Sequence, residues 1–187
     1  MADGSDVYAV FLKVLETQGI SYFVTGSVAS SAYGEPRFTQ DLDLVVSLSS
    51  GSIDDFLAGF PSSDFYVPPE PTLREEASRT EGGHFNLLHQ DSGLRADVYL
   101  AGDDELHAWA FEHLRRIQLS EDLEVWLAPP EYVIVRKLEW MSAEAGERHR
   151  EDVRHMIRLC GESLDHEFLA RQVRARGLEV AWDEVQG

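Results

Sequence analysis

Apolar residues at helical spacing open the chain: Val7, Phe11, Val14 and Leu15 share one face, Ser5 is placed to cap the start, and Gly19 follows the end. A helix over 6–18 is predicted. Residues 20–24 form a β-branched and aromatic run, and small residues 28–33, closed by Gly34, suit a short helix broken at Glu35-Pro36. In 41–46 an alternating pattern turns fully apolar, as in an inner strand. Residues 52–60 read as a short amphipathic helix. The Pro- and Ser-rich stretch 61–81 reads as a connection with a strand near 65–67 and one helical turn. Residues 84–90 and 94–100 flank Asp91-Ser92-Gly93, a hairpin signal, and 103–114 suit a helix. Two short strands follow at 117–119 and 123–127. After Pro129-Pro130 the pattern is helical throughout, over 131–142, 147–160, 163–175 and 180–185. The pattern divides the chain into a mixed α/β portion, 1–128, and a helical portion, 129–187.

Composition narrows the class. With 43% apolar and 10% aromatic residues, the 187-residue chain can bury a core, which excludes disorder despite a net charge of −18. No apolar run approaches the length of a membrane span and the N-terminus is acidic, so no membrane partner and a cytoplasmic location are expected. The single cysteine, Cys160, excludes an internal disulfide and a Cys-based zinc cluster. The charge also argues against a broadly basic surface tracking duplex nucleic acid. It is uneven: residues 1–110 hold 5 basic and 18 acidic groups, residues 111–187 hold 11 and 16, so the basic groups come late.

The chemistry concentrates in Gly26-Ser27, Arg37-Phe38-Thr39-Gln40 and Asp41-Leu42-Asp43-Leu44. Strand alternation sends Asp41 and Asp43 to one face and Leu42 and Leu44 to the other. Like charges so close repel, and hard divalent cations such as Mg²⁺ or Mn²⁺ are their usual remedy. The alternative is a solvated strand edge, but the apolar Leu44-Val45-Val46 makes unpaired carboxylates in this strand costly. Gly26-Ser27 sits between a strand and a helix, where glycine permits close backbone approach and the helix start offers N–H groups to a phosphate; an ordinary turn with a serine cap would look the same. No Walker A loop occurs. In 94–100, alternation puts Arg95, Asp97 and Tyr99 on one face, which makes Asp97 a third carboxylate candidate or one member of a local ion pair.

This order of a Gly-Ser turn, an Asp-X-Asp strand and a later acidic strand residue resembles the nucleotidyltransferase superfamily. The form Arg37-x-Thr39-x-Asp41-x-Asp43 is most similar to small bacterial and archaeal members, including the AbiEii toxin-type and minimal nucleotidyltransferases. The resemblance implies an α+β fold of the polymerase beta-like kind, with a mixed sheet flanked by helices and a C-terminal helical bundle. It implies Asp41, Asp43 and Asp97 as catalytic and metal-binding residues, Gly26 and Ser27 at the nucleotide, and two Mg²⁺ or Mn²⁺ ions; Arg37, a cation just before the two aspartates, either meets the triphosphate or pairs with Glu35 or Asp43, and Thr39 of the same motif is placed with it at the nucleotide. The implied reaction transfers a nucleoside monophosphate from a nucleoside triphosphate (NTP) to a hydroxyl acceptor on RNA, protein or a small molecule. A non-catalytic toxin-antitoxin component that keeps the fold and pairs with a partner is the competing expectation.

In the helical portion Lys137 has only apolar neighbours at helical spacing, Val133, Ile134, Trp140 and Met141. It either snorkels at the core edge or brings its ammonium to a phosphate or to the carboxylates, and the resemblance adds it to the catalytic set. Arg148 and Asp152 read as a surface pair, with a family motif matched only loosely there. Val153, Met156, Ile157 and Cys160 form an apolar stripe, which makes Cys160 a core thiol. The histidines show no metal-ligand spacing, and His84 and His89 read as solvent-facing strand positions or as cleft lining.

Overall fold

A computed structural model of the chain describes residues 6–36, 39, 41–121, 123–143 and 146–186. A 3-10 turn at Asp6–Tyr8 leads into α1 (Ala9–Thr17), then β1 (Tyr22–Val24), α2 (Gly26–Tyr33), β2 (Asp41–Val46), α3 (Ile53–Gly59), β3 (Phe65–Tyr66) and α4 (Glu70–Ala77). Next come β4 (His84–His89), β5 (Arg95–Leu100), α5 (Glu105–Glu112), β6 (Arg115–Ser120) and β7 (Leu123–Leu127). Four helices close the chain: α6 (Pro130–Ala143), α7 (Glu147–Cys160), α8 (His166–Arg176) and α9 (Glu179–Gln186).

The strands form one mixed sheet in the order β3-β4-β5-β2-β1-β7-β6. Its centre is β2, antiparallel to β1 and parallel to β5. That position explains the sequence pattern. The last three residues of β2 are covered on both faces and are wholly apolar, while its first half alternates and keeps Asp41 and Asp43 on the more open face. Leu42, Leu44, Phe85 and Val98 point to the opposite face, where Phe56 packs on Phe60 and Phe85 with ring centroids 4.8 and 5.6 Å apart, and Phe65 packs on Phe11 at 5.8 Å. On the carboxylate face, Phe23 of β1 meets Phe111 of α5 at 4.9 Å and Tyr132 of α6 at 5.2 Å. Helix α2 packs on β2, α6 and α7, and the Tyr33 hydroxyl donates to the Ala128 carbonyl over 2.7 Å. The site therefore opens between the carboxylate face of β2 and β5 and one face of α6.

Several boundaries differ from the sequence reading. β1 begins at Tyr22 rather than at 20, and α1 begins at Ala9 after the 3-10 turn, while Ser5, expected as a cap, lies outside the described residues. The single turn expected in 61–81 is a full helix, α4. Proline is tolerated in its first turn and only Leu73 is buried, so it carries no apolar stripe to reveal it. β6 runs over six residues and carries an irregular register between Gln118 and Ser120. Among the described residues no helix is long and apolar enough to cross a membrane.

Candidate active site

The parallel register of β2 and β5 sets Asp43 directly beside Asp97, Asp41 beside Arg95 and Val45 beside Tyr99. Laterally paired residues share a face, so three carboxylates from two adjacent strands, about 4.8 Å apart, project together. They differ in environment. The Asp41 side chain is 50% exposed and that of Asp97 15%, and both are engaged by Arg95. The Asp43 carboxyl is pushed above the ordinary carboxylate range, first by burial, with Asp97 and Asp41 adding repulsion; the Ser27 N–H and the Lys137 ammonium oppose the shift. The Tyr99 hydroxyl on the same face is pushed up to about 12, by burial and then by Asp43 and Asp97.

Gly26 explains the glycine of the Gly-Ser turn. Thr25 is extended, with its N–H bonded to the Asp43 carbonyl at 2.9 Å, and the chain then turns at once into α2 through Gly26 at φ +58°. A β-carbon at Gly26 would lie 1.9 Å from Asp43 Oδ2. Glycine is needed here for conformation and for space, and its absence of a side chain brings the Ser27 N–H to Asp43 Oδ2 at 3.4 Å. Thr39 sits at the other end of the motif, where its hydroxyl donates to the Asp41 carbonyl at 3.3 Å and its own carbonyl accepts from the Tyr8 hydroxyl at 2.7 Å.

Helix α6 supplies the facing wall. Val133, Arg136, Lys137 and Trp140 lie at i, i+3, i+4 and i+7, hence on one helix face, and all four line the cleft. Lys137 is only 4% exposed, and its Nζ donates to Asp152 Oδ2 of α7 at 2.7 Å, an oxygen that Ser30 Oγ of α2 also reaches at 3.3 Å. Asp152 therefore turns inward, away from the surface role expected of it. Arg136 bonds to Asp104, to Glu139 at 2.9 Å and to the Tyr132 hydroxyl at 3.4 Å, while Arg176 reaches Glu139 at 2.5 Å. Burial pushes the Asp104 carboxyl up, but Arg136 and His107 together outweigh it and the net direction is down. His107 is held below the usual imidazole value by burial, against the opposing pull of Asp104.

Together these elements enclose a cleft of about 670 Å³. It brings together Gly26, Ser27, Thr39, Asp41, Asp43, Asp97 and Lys137 from the sequence reading. Arg37 lies outside the described residues. The His84 ring packs at a tilt on Tyr99 with centroids 4.8 Å apart and His89 bonds to Ser92 at 2.7 Å; neither lines the cleft, whereas His107 and His149 do. Asp104, Tyr132, Glu139 and Trp140 escape the sequence reading as site residues, because along the chain they look like ordinary surface charges and helix apolars. Cys160 is partly buried and donates to the Tyr33 carbonyl at 3.4 Å, the environment of a packing thiol.

Asp41, Asp43 and Asp97 supply only hard carboxylate oxygens, the donor chemistry that Mg²⁺ or Mn²⁺ takes. Among the described residues, however, no three His, Cys, Asp or Glu side chains are grouped to hold an ion as they stand. The Arg95 guanidinium lies between two of the three carboxylates, with Nη2 3.0 Å from Asp97 Oδ2 and Nε 3.4 Å from Asp41 Oδ1.

Neither a protein-family model nor a curated protein matches the chain. Among the solved structures similar to it are two that match over nearly their whole lengths. One is an antigenic nucleotidyltransferase-like protein from Paracoccidioides brasiliensis, 21% identical, with 96% of this chain and 92% of that one covered at a TM-score of 0.52. The other is the antibiotic-resistance factor ANT(2'')-Ia, 11% identical, with 98% and 97% covered at a TM-score of 0.55. The chain has an α+β fold shared with nucleotidyltransferase-like proteins, and that fold extends through the C-terminal helices.

Proposed function

We propose that the chain is a nucleotidyltransferase that moves a nucleoside monophosphate from an NTP to a hydroxyl acceptor. The observation that carries this reading is the lateral pairing of Asp43 with Asp97, with Asp41 on the same face and a glycine turn built against Asp43. The fold shared with nucleotidyltransferase-like proteins supports it. The finer likeness to AbiEii toxin-type and minimal members rests on the sequence motif alone.

Asp41, Asp43 and Asp97 would hold Mg²⁺ or Mn²⁺, which when bound offsets the charge of the triphosphate and of the leaving group. The N–H groups at the start of α2, at Gly26 and Ser27, receive phosphate oxygens, with Thr39 at the edge of the same site. The acceptor oxygen attacks the α-phosphorus as the bond to the β-phosphate's bridging oxygen breaks, and pyrophosphate leaves. The acceptor proton passes to a carboxylate, for which Asp97, with its side chain 15% exposed, is the candidate. Lys137, fixed by Asp152, contributes positive charge beside Asp43. The wall formed by Arg136, Glu139 and Trp140 is left for the base or the acceptor.

The test is incubation of each α-labelled NTP and Mg²⁺ with RNA, with protein and with small hydroxyl compounds. Transfer of label with release of pyrophosphate, lost in Asp41→Ala and Asp43→Ala, supports the reading. Absence of transfer to all three classes, with NTP left intact, counts against it.

A further inference from the structure

Arg95 has a position that the reaction scheme leaves unused. The β2/β5 register sets it beside Asp41 on the carboxylate face. Its Nη2 is 3.0 Å from Asp97 Oδ2 and its Nε 3.4 Å from Asp41 Oδ1. One guanidinium therefore bridges two of the three carboxylates, while the third takes the Ser27 N–H. Three like charges on adjacent strands repel one another, and Arg95 supplies the opposite charge from within the same sheet face. The bridge is also exchangeable: the Arg95 side chain is 46% exposed and that of Asp41 50%, so solvent weakens the attraction and leaves the guanidinium room to swing out.

We propose that Arg95 is a resident counter-cation, a positioning residue that holds Asp41 and Asp97 in the metal-free chain and gives way when a divalent cation binds. The inference rests on the metal-site reading above. It carries a sign that a purely structural arginine would not produce. Removing the charge weakens the metal-free fold, because the carboxylates lose their partner, yet it strengthens metal binding, because no bridge has to be broken first. An arginine that merely braced the sheet would lose on both counts when replaced.

The experiment titrates the full chain with Mn²⁺ alone, reading free Mn²⁺ by electron paramagnetic resonance, for the wild type, Arg95→Gln, Arg95→Lys and Asp43→Asn. Melting curves in EDTA and in Mn²⁺ accompany it. The expected result is Mn²⁺ binding about two- to fivefold tighter in Arg95→Gln, the equivalent of one partly exposed ion pair. The same variant should melt lower than wild type in EDTA, and Arg95→Lys, which keeps the charge, should stay near wild type. Equal or weaker Mn²⁺ binding in Arg95→Gln, with wild-type binding that depends on Asp43, overturns the counter-cation alone. Absence of Asp43-dependent binding in every protein overturns the metal-site reading and this inference with it.

Discussion

Substituting Gly26 with alanine separates two costs that the site combines. The first is conformational. Gly26 has φ +58°, and an L-residue in the left-handed region costs about 1–2 kcal/mol. The second is steric and falls on the chemistry. The new β-carbon would stand 1.9 Å from Asp43 Oδ2, where real contacts do not come under 3.0 Å, so the carboxylate must retreat by more than 1 Å. That swing takes Asp43 from the Ser27 N–H and from Asp97, and a displacement of about 1 Å at reacting groups costs roughly 10²-fold in rate. Gly177 is the control, because it has φ +65° at the end of α8 with nothing within 4 Å of its added β-carbon. Gly177→Ala should lose about 1–2 kcal/mol, a fall in Tm of about 2–8 °C, with transfer unchanged. Gly26→Ala should lose at least as much stability and about 10²-fold in transfer. Melting curves and pyrophosphate release on both variants are the assay. Equal transfer by the two alanine variants would refute the reasoning, because the close approach of Gly26 to Asp43 would then have no bearing on the site.

Three further outcomes follow from the same geometry. The native chain holds the Asp43 proton more tightly than the unfolded chain, so in EDTA the contribution of this group to stability falls as pH rises from the ordinary 3.8 through its raised value. Asp43→Asn should therefore raise Tm near neutral pH in EDTA, with the gain vanishing toward acid, while Mg²⁺-dependent nucleotide binding is lost; a lower Tm at neutral pH contradicts this. Lys137→Met should lower stability in denaturant unfolding, by up to about 3–5 kcal/mol, since it removes the ammonium that meets Asp152 at 2.7 Å where the Asp152 side chain is only 13% exposed, and adding Asp152→Asn should recover part of the loss. Additive losses would show that the two groups are not coupled. Trp140 is 48% exposed on the cleft wall, so its emission should be quenched by a bound NTP, and Trp140→Phe should remove the signal without abolishing calorimetric binding.

Local periodicity made much of the carboxylate strand legible. The alternation of 41–44 and 94–100 is enough to put Asp41 with Asp43, and Arg95 with Asp97, on single faces, and the apolar Leu44-Val45-Val46 marks an inner strand. That β5 lies beside β2 in a register matching Asp43 to Asp97 is a long-range choice, made by which faces can be buried together, and no local pattern encodes it. The facing wall was hidden for the same reason. Asp104, Arg136, Glu139 and Arg176 look like scattered solvent charges until α5, α6 and α8 pack and join them in one network. Lys137 was conspicuous for its apolar neighbours, but its partner Asp152 lies on the next helix and looked like one half of a surface pair. Helix α4 lacked the stripe that periodicity needs, because one buried leucine suffices to seat it.

The carboxylate cluster as a nucleotide site is the centre of the account, and calorimetric titration of the chain with each NTP in Mg²⁺ tests it most directly. The expected result is saturable, Mg²⁺-dependent binding in the wild type that disappears in Asp41→Ala and Asp43→Ala, with both variants still folded by their melting curves. No binding by the wild type, or binding that survives both substitutions, would contradict it.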